Sequence, residues 1–257
     1  MDILRKEINQ IYEAQSLETE SLDVTTVEDA KNTAETLAKA MGGCTVITDA
    51  SCDRCYVYGQ DLGILLGLSD VSNMYKEEQS SDEDEIYNRI HSKDLVEKRM
   101  LEYEFFKKIN LVDAHDKKKY KAMCRIRIRD RQNNYIHIIN STQAIQLSPN
   151  GKIWLILCCY NLSPIQRCGD DIEPHIINTL NGEIITLDFK DRRKHILTVR
   201  EKEILNLIKE GKASKNIADI LEISVHTVNR HRQNIIEKLS VGNSIEAISA
   251  ATSMGLL

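Results

Sequence analysis

Ser224-Val225-His226-Thr227-Val228-Asn229-Arg230-His231-Arg232-Gln233-Asn234-Ile235-Ile236-Glu237-Lys238-Leu239 is the stretch that decides how this chain is read. Turned at ~100° per residue, Val225, Val228, His231, Ile235, Ile236 and Leu239 fall in one arc. His226, Asn229, Arg230 and Gln233 fall on the opposite side. One side can pack on a scaffold; the other presents an imidazole, two amides and a guanidinium within two turns. Asn and Gln can bond adenine through two atoms, and Arg can do so with guanine. One helix fits the major groove, with its first turns nearest the bases. A polar helix face is as often simply solvated, so the surroundings must choose between the two.

Those surroundings are further short helical patterns. Thr198-x-x-Glu201 forms a capping box, in which each end of the motif satisfies a free backbone N–H of the other. Ile204, Leu205 and Ile208 follow as one apolar stripe, and Gly211 suits a left-handed stop. A second pattern starts near Ser214, with Ile217, Ala218 and Leu221 on its narrow apolar face. Only Glu222 and Ile223 separate it from Ser224, the spacing of a helix-turn-helix. Asn243 and Glu246 can cap a fourth helix.

Leu197-Thr198-x-Arg200-Glu201, Gly211, Ile217-Ala218, Ser224-x-x-Thr227-Val228-x-x-His231, Ile235, Lys238-Leu239 and Ala247 together resemble the LuxR-type (NarL/FixJ) DNA-binding domain. The resemblance touches every helix of the last quarter of the chain. It implies a four-helix domain that binds DNA as a dimer, its third helix in the major groove and its fourth in dimerisation. The base-reading positions fall on Asn229, Arg230 and Gln233, and the phosphate-contacting ones on Thr227, His231 and Lys215. Ser224 and His226, at the start of the same face, complete the expected DNA-binding set. One departure is Ser244, where the family often carries arginine.

The chain has 257 residues, more than one average domain, and a net charge of −5. The charge is divided: from Lys194 onward nine Lys/Arg face seven Asp/Glu, so that part is +2 and the remainder −7. A small positive excess implies few phosphate contacts per subunit, with affinity built by doubling. The start lacks a signal peptide and no ~20-residue apolar run occurs, so a cytoplasmic protein without membrane association is expected. Seven cysteines, an odd number, suit reduced thiols. Cys52-x-x-Cys55 lacks the second pair a metal site needs, and Cys158-Cys159 lies in a strand-like run that reads as core.

Upstream, the periodicity predicts helices over about Asp2–Ala14 and Thr26–Met41, then short strands at Thr45–Thr48 and Tyr56–Tyr58. Gln79–Glu85 reads as an acidic, solvated loop. A long helix runs to about Ile109. After it, Cys124, Ile126 and Ile128 alternate with Arg125, Arg127 and Arg129, and strands follow at Tyr135–Ile139 and Ile153–Tyr160. Three arginines on one sheet face suit a solvated or ion-paired surface better than an anionic ligand. This order, with Ile90-His91-Ser92-Lys93-Asp94-Leu95 before the long helix, resembles a PAS domain, although Ser92-Lys93 stands where that family has Pro-Asp. The resemblance implies sensing or assembly. No flavin-type cysteine motif is present, and His91 and His137 read as capping or surface histidines rather than haem ligands. No cofactor or metal is expected; an unidentified small ligand stays open. Leu180-Asn181-Gly182 signals a hairpin, followed by the polar linker Lys190–Lys194.

The expectation is therefore an α+β PAS-like sensor with an antiparallel sheet, joined to an all-α four-helix LuxR-type helix-turn-helix domain. The divisions are 1–43 (N-terminal helices), 44–165 (sensor), 166–194 (hairpin and linker) and 195–257 (DNA-binding domain). Expected partners are double-stranded promoter DNA and a second copy, with RNA polymerase open. A phosphorylated receiver would need acids and a lysine placed around Asp49, which they are not. A lactone receptor would need more pocket aromatics than the lone Trp154 and three phenylalanines supply. No nucleophile–base pairing, phosphate loop or ligand cluster suggests an enzyme.

Overall fold

A computed structural model describes residues 3–81, 83–166, 169, 171–189 and 195–257. The first helices are α1 (Ile3–Glu13) and α2 (Val24–Met41). α2 begins before Thr26 because the Asp23 carboxylate caps it, accepting from the Thr25 N–H at 2.9 Å. Then come β1 (Cys44–Asp49), β2 (Arg54–Gly59), α3 (Asp61–Leu65), β3 (Met74–Glu78), α4 (Asp84–Tyr87), α5 (Ser92–Asn110) and α6 (Ala114–Lys117). The sheet continues with β4 (Tyr120–Arg129), β5 (Tyr135–Leu147), β6 (Ile153–Leu162), β7 (His175–Asn178) and β8 (Ile184–Thr186). The chain ends in α7 (Val199–Lys209), α8 (Ser214–Leu221), α9 (Val225–Lys238) and α10 (Ser244–Ser253).

The eight strands form one antiparallel sheet in the order β3-β2-β1-β6-β5-β4-β7-β8. Its middle is the PAS-like arrangement: two strands, short helices, a long helix, then three consecutive strands that return beside the first. The hairpin strand β7 pairs with β4, so β7 and β8 extend this sheet. The hairpin turns at Gly182, whose φ of 76° is a left-handed value glycine adopts without strain. The expected linker Lys190–Lys194 lies outside the described residues.

Both faces of the central strands are covered, which is why β1 is buried along its whole length. On one face Val46, Ile126, Ile138 and Ile156 meet Val96, Met100, Phe105 and Phe106 of α5. On the other, Ala30, Ala34 and Ala38 of α2 lie on Ile47, Tyr56, Tyr58 and Trp154. The small α2 side chains let that helix approach closely enough for Thr45 Oγ1 to donate to the Ala34 carbonyl at 2.7 Å.

Two expectations are corrected here. β5 runs eight residues past Ile139, through Asn140, Ser141, Thr142 and Gln143, whose polarity hid it. Asn140 and Thr142 are buried beside β6, where Asn140 Nδ2 donates to the Cys159 carbonyl at 3.3 Å and Thr142 meets Cys158 Sγ at 3.5 Å. The acidic stretch before α4 is not simply solvated. Ser81 is buried and Glu83 is 1% exposed, accepting from Tyr160 Oη at 2.8 Å.

Glu83 belongs to a charged cluster sealed between α4, α5 and β6. Lys98, 0% exposed, donates to Glu102 and to Tyr87 Oη, and Tyr87 Oη donates to Glu102 at 2.8 Å. The Arg99 guanidinium stacks 4.3 Å from the Tyr87 ring centre. Burial pushes the Lys98 ammonium pKa down, but the facing Glu102 and Glu83 carboxylates outweigh it and the net shift is upward. Two of the three expected arginines are ion-paired, and the third is bonded to a backbone carbonyl. Arg127 grips Asp94 through two nitrogens (3.0 and 2.6 Å), Arg125 pairs with Glu173, and Arg129 donates to the Asn88 carbonyl at 2.7 Å. Cys52 is exposed in the β1–β2 turn with its thiol pushed up to about 11, by burial first and the Asp49 carboxylate second. Cys44 and Cys124, enclosed in the core, are raised to about 12. No helix among the described residues is long and apolar enough to cross a membrane.

Glu102→Ala should destabilise the α+β body by about 3–5 kcal/mol, because it strands the buried Lys98 charge. Exchanging both partners, Lys98→Met with Glu102→Leu, should cost far less; urea denaturation followed by Trp154 fluorescence reads the difference. Because the folded pKa of Lys98 is raised, its contribution is complete at neutral pH and is lost only as pH climbs through that raised value.

Candidate nucleic-acid interface

The C-terminal helices fold as their sequence dictates. Thr198 Oγ1 accepts from the Glu201 N–H at 3.2 Å, and Glu201 Oε2 accepts from the Thr198 N–H at 2.8 Å, so the capping box of α7 is complete. Gly211 ends that region at a φ of 81°. The α8–α9 turn is made by Glu222 in the left-handed conformation, φ 52°, an uncommon place for a residue with a side chain. Ser224 Oγ then caps α9 by accepting from the Thr227 N–H at 3.0 Å. Asn243 caps α10, accepting from the N–H groups of Ile245 and Glu246, both at 3.0 Å.

Packing follows the same pattern. Leu197, Ile204, Leu205, Ile217, Ala218, Val228, Ile235, Leu239 and Ala247 are buried together. The apolar arc on α9 needs one correction: Val225, the first residue of the helix, is 42% exposed.

Polar ties fix the angles between these helices. Glu201 is 2% exposed, and the oxygen that closes the capping box also accepts from Lys238 Nζ at 2.7 Å, linking the start of α7 to the end of α9. Arg200 Nη2 donates to the Leu221 carbonyl at 2.8 Å, bracing the end of α8 beside the turn. Arg232, which sequence reasoning passed over, donates to Ser214 Oγ at 3.0 Å and to Ser244 Oγ at 3.1 Å, joining α8, α9 and α10. Its position on the polar flank of α9, opposite a serine where arginine is usual, was the signal available.

The proposed reading residues come out on one ridge. His226, Asn229, Arg230 and Gln233 are all exposed. Gln233 Nε2 donates to Glu237 Oε1 at 3.2 Å, and that amide holds the Glu237 carboxyl below its ordinary pKa, with a smaller contribution from the Lys6 ammonium. Ser224 and Thr227 sit at the N-terminus of α9, their hydroxyl oxygens 2.8 Å apart. There the free N–H groups of a helix favour an anion. Lys215 is exposed near the start of α8. His231 is half-buried at the ridge edge, its Nδ1 enclosed and without a hydrogen-bond partner among the described residues. The other candidates lie elsewhere. His91 caps α5, accepting from the Lys93 N–H at 3.3 Å, with its ring 5.1 Å from that of Tyr135. Asp49 is buried and accepts from Trp154 Nε1 at 3.0 Å and from Ser51 Oγ at 2.6 Å.

Residues 195–251 match the family described as bacterial regulatory proteins, luxR family. The matched segment is a LuxR-type helix-turn-helix domain, and it follows an α+β body built on one antiparallel sheet. Among curated relatives, the chain is 52% identical over 60 residues to the uncharacterized response regulatory protein YgeK of Escherichia coli strain K12, covering 23% of this chain and 41% of that protein. It is 45% identical over 78 residues to the regulatory protein SdiA of the same strain, covering 30% of each. It is 34% identical over 83 residues to the transcriptional activator protein SolR of Ralstonia solanacearum, covering 32% of this chain and 35% of that one. The chain thus spans less than half the length of these relatives. Among solved structures, VqmA of Vibrio cholerae aligns over 91% of this chain and 89% of its own at 15% identity and a TM-score of 0.30. A phage VqmA–DPO complex aligns over 86% and 88% at 18% identity and a TM-score of 0.27. Superpositions this loose fix neither the arrangement of the parts nor their function.

Glu201→Ala should destabilise the C-terminal helices by about 2–3 kcal/mol, removing a cap and a partly buried ion pair at once. Amide hydrogen exchange should show the loss in α7 and α9 with the sensor sheet unchanged.

Proposed function

We propose that this chain is a cytoplasmic bacterial transcription regulator that reads double-stranded promoter DNA as a homodimer. The carrying observation is the exposed ridge of α9, held at a fixed angle by Glu201, Arg200 and Arg232. In this reading Asn229, Arg230 and Gln233 contact base edges in the major groove, with His226 beside them. Ser224, Thr227, His231 and Lys215 meet the phosphates. Residues 195–257 form the DNA-binding domain and 44–165 the sensor, which responds to a signal or mediates assembly. The signal acts by changing the spacing of two reading helices, since both half-sites are engaged only when the helices stand about 34 Å apart. Contact with RNA polymerase belongs to the same reading.

A receiver-type alternative gains nothing from the sensor, because the Asp49 carboxylate is enclosed and already bonded to Trp154 and Ser51. A small-molecule receptor using the same DNA-binding domain is a special case of the proposal.

The deciding experiment is selection of duplexes from a random pool by the full chain, followed by sedimentation of the complex. Enrichment of a two-fold symmetric sequence bound by two chains is expected; failure to enrich any sequence removes the reading. On the recovered duplex, Arg230→Ala should cost about 1–3 kcal/mol and relax preference at one base position. Lys215→Ala should weaken all sequences alike and reduce the salt slope by about 1.

A further inference from the structure

The row of arginines on β4 is unevenly neutralised. Arg125 meets Glu173 and Arg127 meets Asp94, so both charges are answered locally. Arg129 reaches only the Asn88 carbonyl, at 2.7 Å, and has no carboxylate partner among the described residues. A carbonyl accepts a hydrogen bond but carries no net charge. The Arg129 guanidinium therefore remains an unbalanced cation with N–H donors to spare. It is exposed.

That cation lines a cleft of about 570 Å³, walled on one side by the end of β4, the start of β5 and the start of α5, and on the other by α10. Ligand sites are typically about 300–1,000 Å³ and favour places where two parts of a protein meet. Ile90 and Leu95, both buried, give the cleft an apolar lining. Beside Arg129, Tyr135 and His91 put two rings on the same wall, edge to face at 5.1 Å, and Tyr135 is 48% exposed. On the α10 wall the Glu246 carboxylate accepts from the Gly242 N–H at 2.7 Å and from Asn243 Nδ2 at 2.8 Å. Arg129 and Glu246 line the cleft from opposite walls with opposite charges, and they form no ion pair with each other.

Each feature selects one part of a ligand. A planar carboxylate matches a guanidinium through two parallel N–H donors. An aromatic ring packs against Tyr135 and His91, ring pairs being favourable at about 4.5–7 Å between centres. Glu246 repels a second anion but accepts from a hydroxyl. We propose that the cleft binds a small hydroxylated aromatic acid, with its carboxylate on Arg129, its ring against Tyr135 and His91, and its hydroxyl toward Glu246. Such a molecule touches both walls, so its occupancy joins the α+β body to α10.

Isothermal titration of the full chain with para-hydroxybenzoate tests the site. No duplex is needed, so the outcome is separate from that of the DNA-reading proposal. Saturable one-to-one binding is expected. Arg129→Ala should weaken it about tenfold or more, the scale of a hydrogen bond to a charged group, and para-hydroxybenzyl alcohol, which lacks the carboxylate, should bind wild type equally poorly. Benzoate, which lacks the hydroxyl, should bind about 2- to 10-fold more weakly. Because Arg129 also holds the Asn88 carbonyl, a second variant acts from the opposite wall: Ser249→Trp, at an exposed position of α10, fills the cleft and should abolish binding. The site is overturned by no saturable binding, by alcohol or benzoate binding as tightly as the hydroxy acid, or by unchanged affinity in either variant.

Discussion

The Glu201 carboxylate is the point on which the C-terminal domain turns. It is almost fully enclosed and satisfies the Thr198 N–H and the Lys238 ammonium with one oxygen. The start of α7 and the end of α9 cannot move independently while those bonds hold. Because α9 carries its polar ridge opposite its packed side, fixing the last turn fixes where Asn229, Arg230 and Gln233 point. A partly buried charge-assisted contact has a geometry that loose apolar packing lacks. The aliphatic side chains supply most of the cohesion, and the carboxylate supplies the angle.

In the α+β body the same division of labour appears with the cost reversed. α5 buries Lys98, Arg99, Glu97 and Glu102 in place of the aliphatic side chains an amphipathic helix would offer. Each ion loses its hydration, which several kcal/mol of mutual attraction must offset. Two tyrosines, Tyr87 and Tyr160, add hydrogen bonds, with Tyr160 serving Glu83 and Tyr87 serving Glu102. The result is a core region with strict partner requirements directly beneath α1, whose Ile8 and Tyr12 line the same small cavity.

The C-terminal domain was legible because its signals are local. Capping residues at Thr198, Ser224 and Asn243 lie within three positions of the N–H groups they serve, and the apolar stripe of α9 repeats at the helical period. β4 was legible for a similar reason, since alternation of Cys124, Ile126 and Ile128 with arginines marks a strand with two unlike faces. What escaped were the features decided by distant partners. The second half of β5 reads as loop because Asn140 and Thr142 are polar, yet each finds its partner on β6. Glu83 reads as solvent-facing until Tyr160, 77 positions away, is brought over it. β3, rich in charge at Lys76, Glu77 and Glu78, carries no apolar alternation because it is an edge strand paired on one side only.

Arg232 has one more implication. Its guanidinium reaches from α9 to Ser244 Oγ, at the position where the LuxR-type pattern usually places an arginine. The positive charge is thus kept in that neighbourhood but delivered from a different helix. Restoring the usual arginine at 244 alone would set two guanidiniums face to face and displace a hydroxyl acceptor. The two sites are therefore coupled through one contact, and grafting this helix onto another scaffold would have to carry both Arg232 and its serine acceptor.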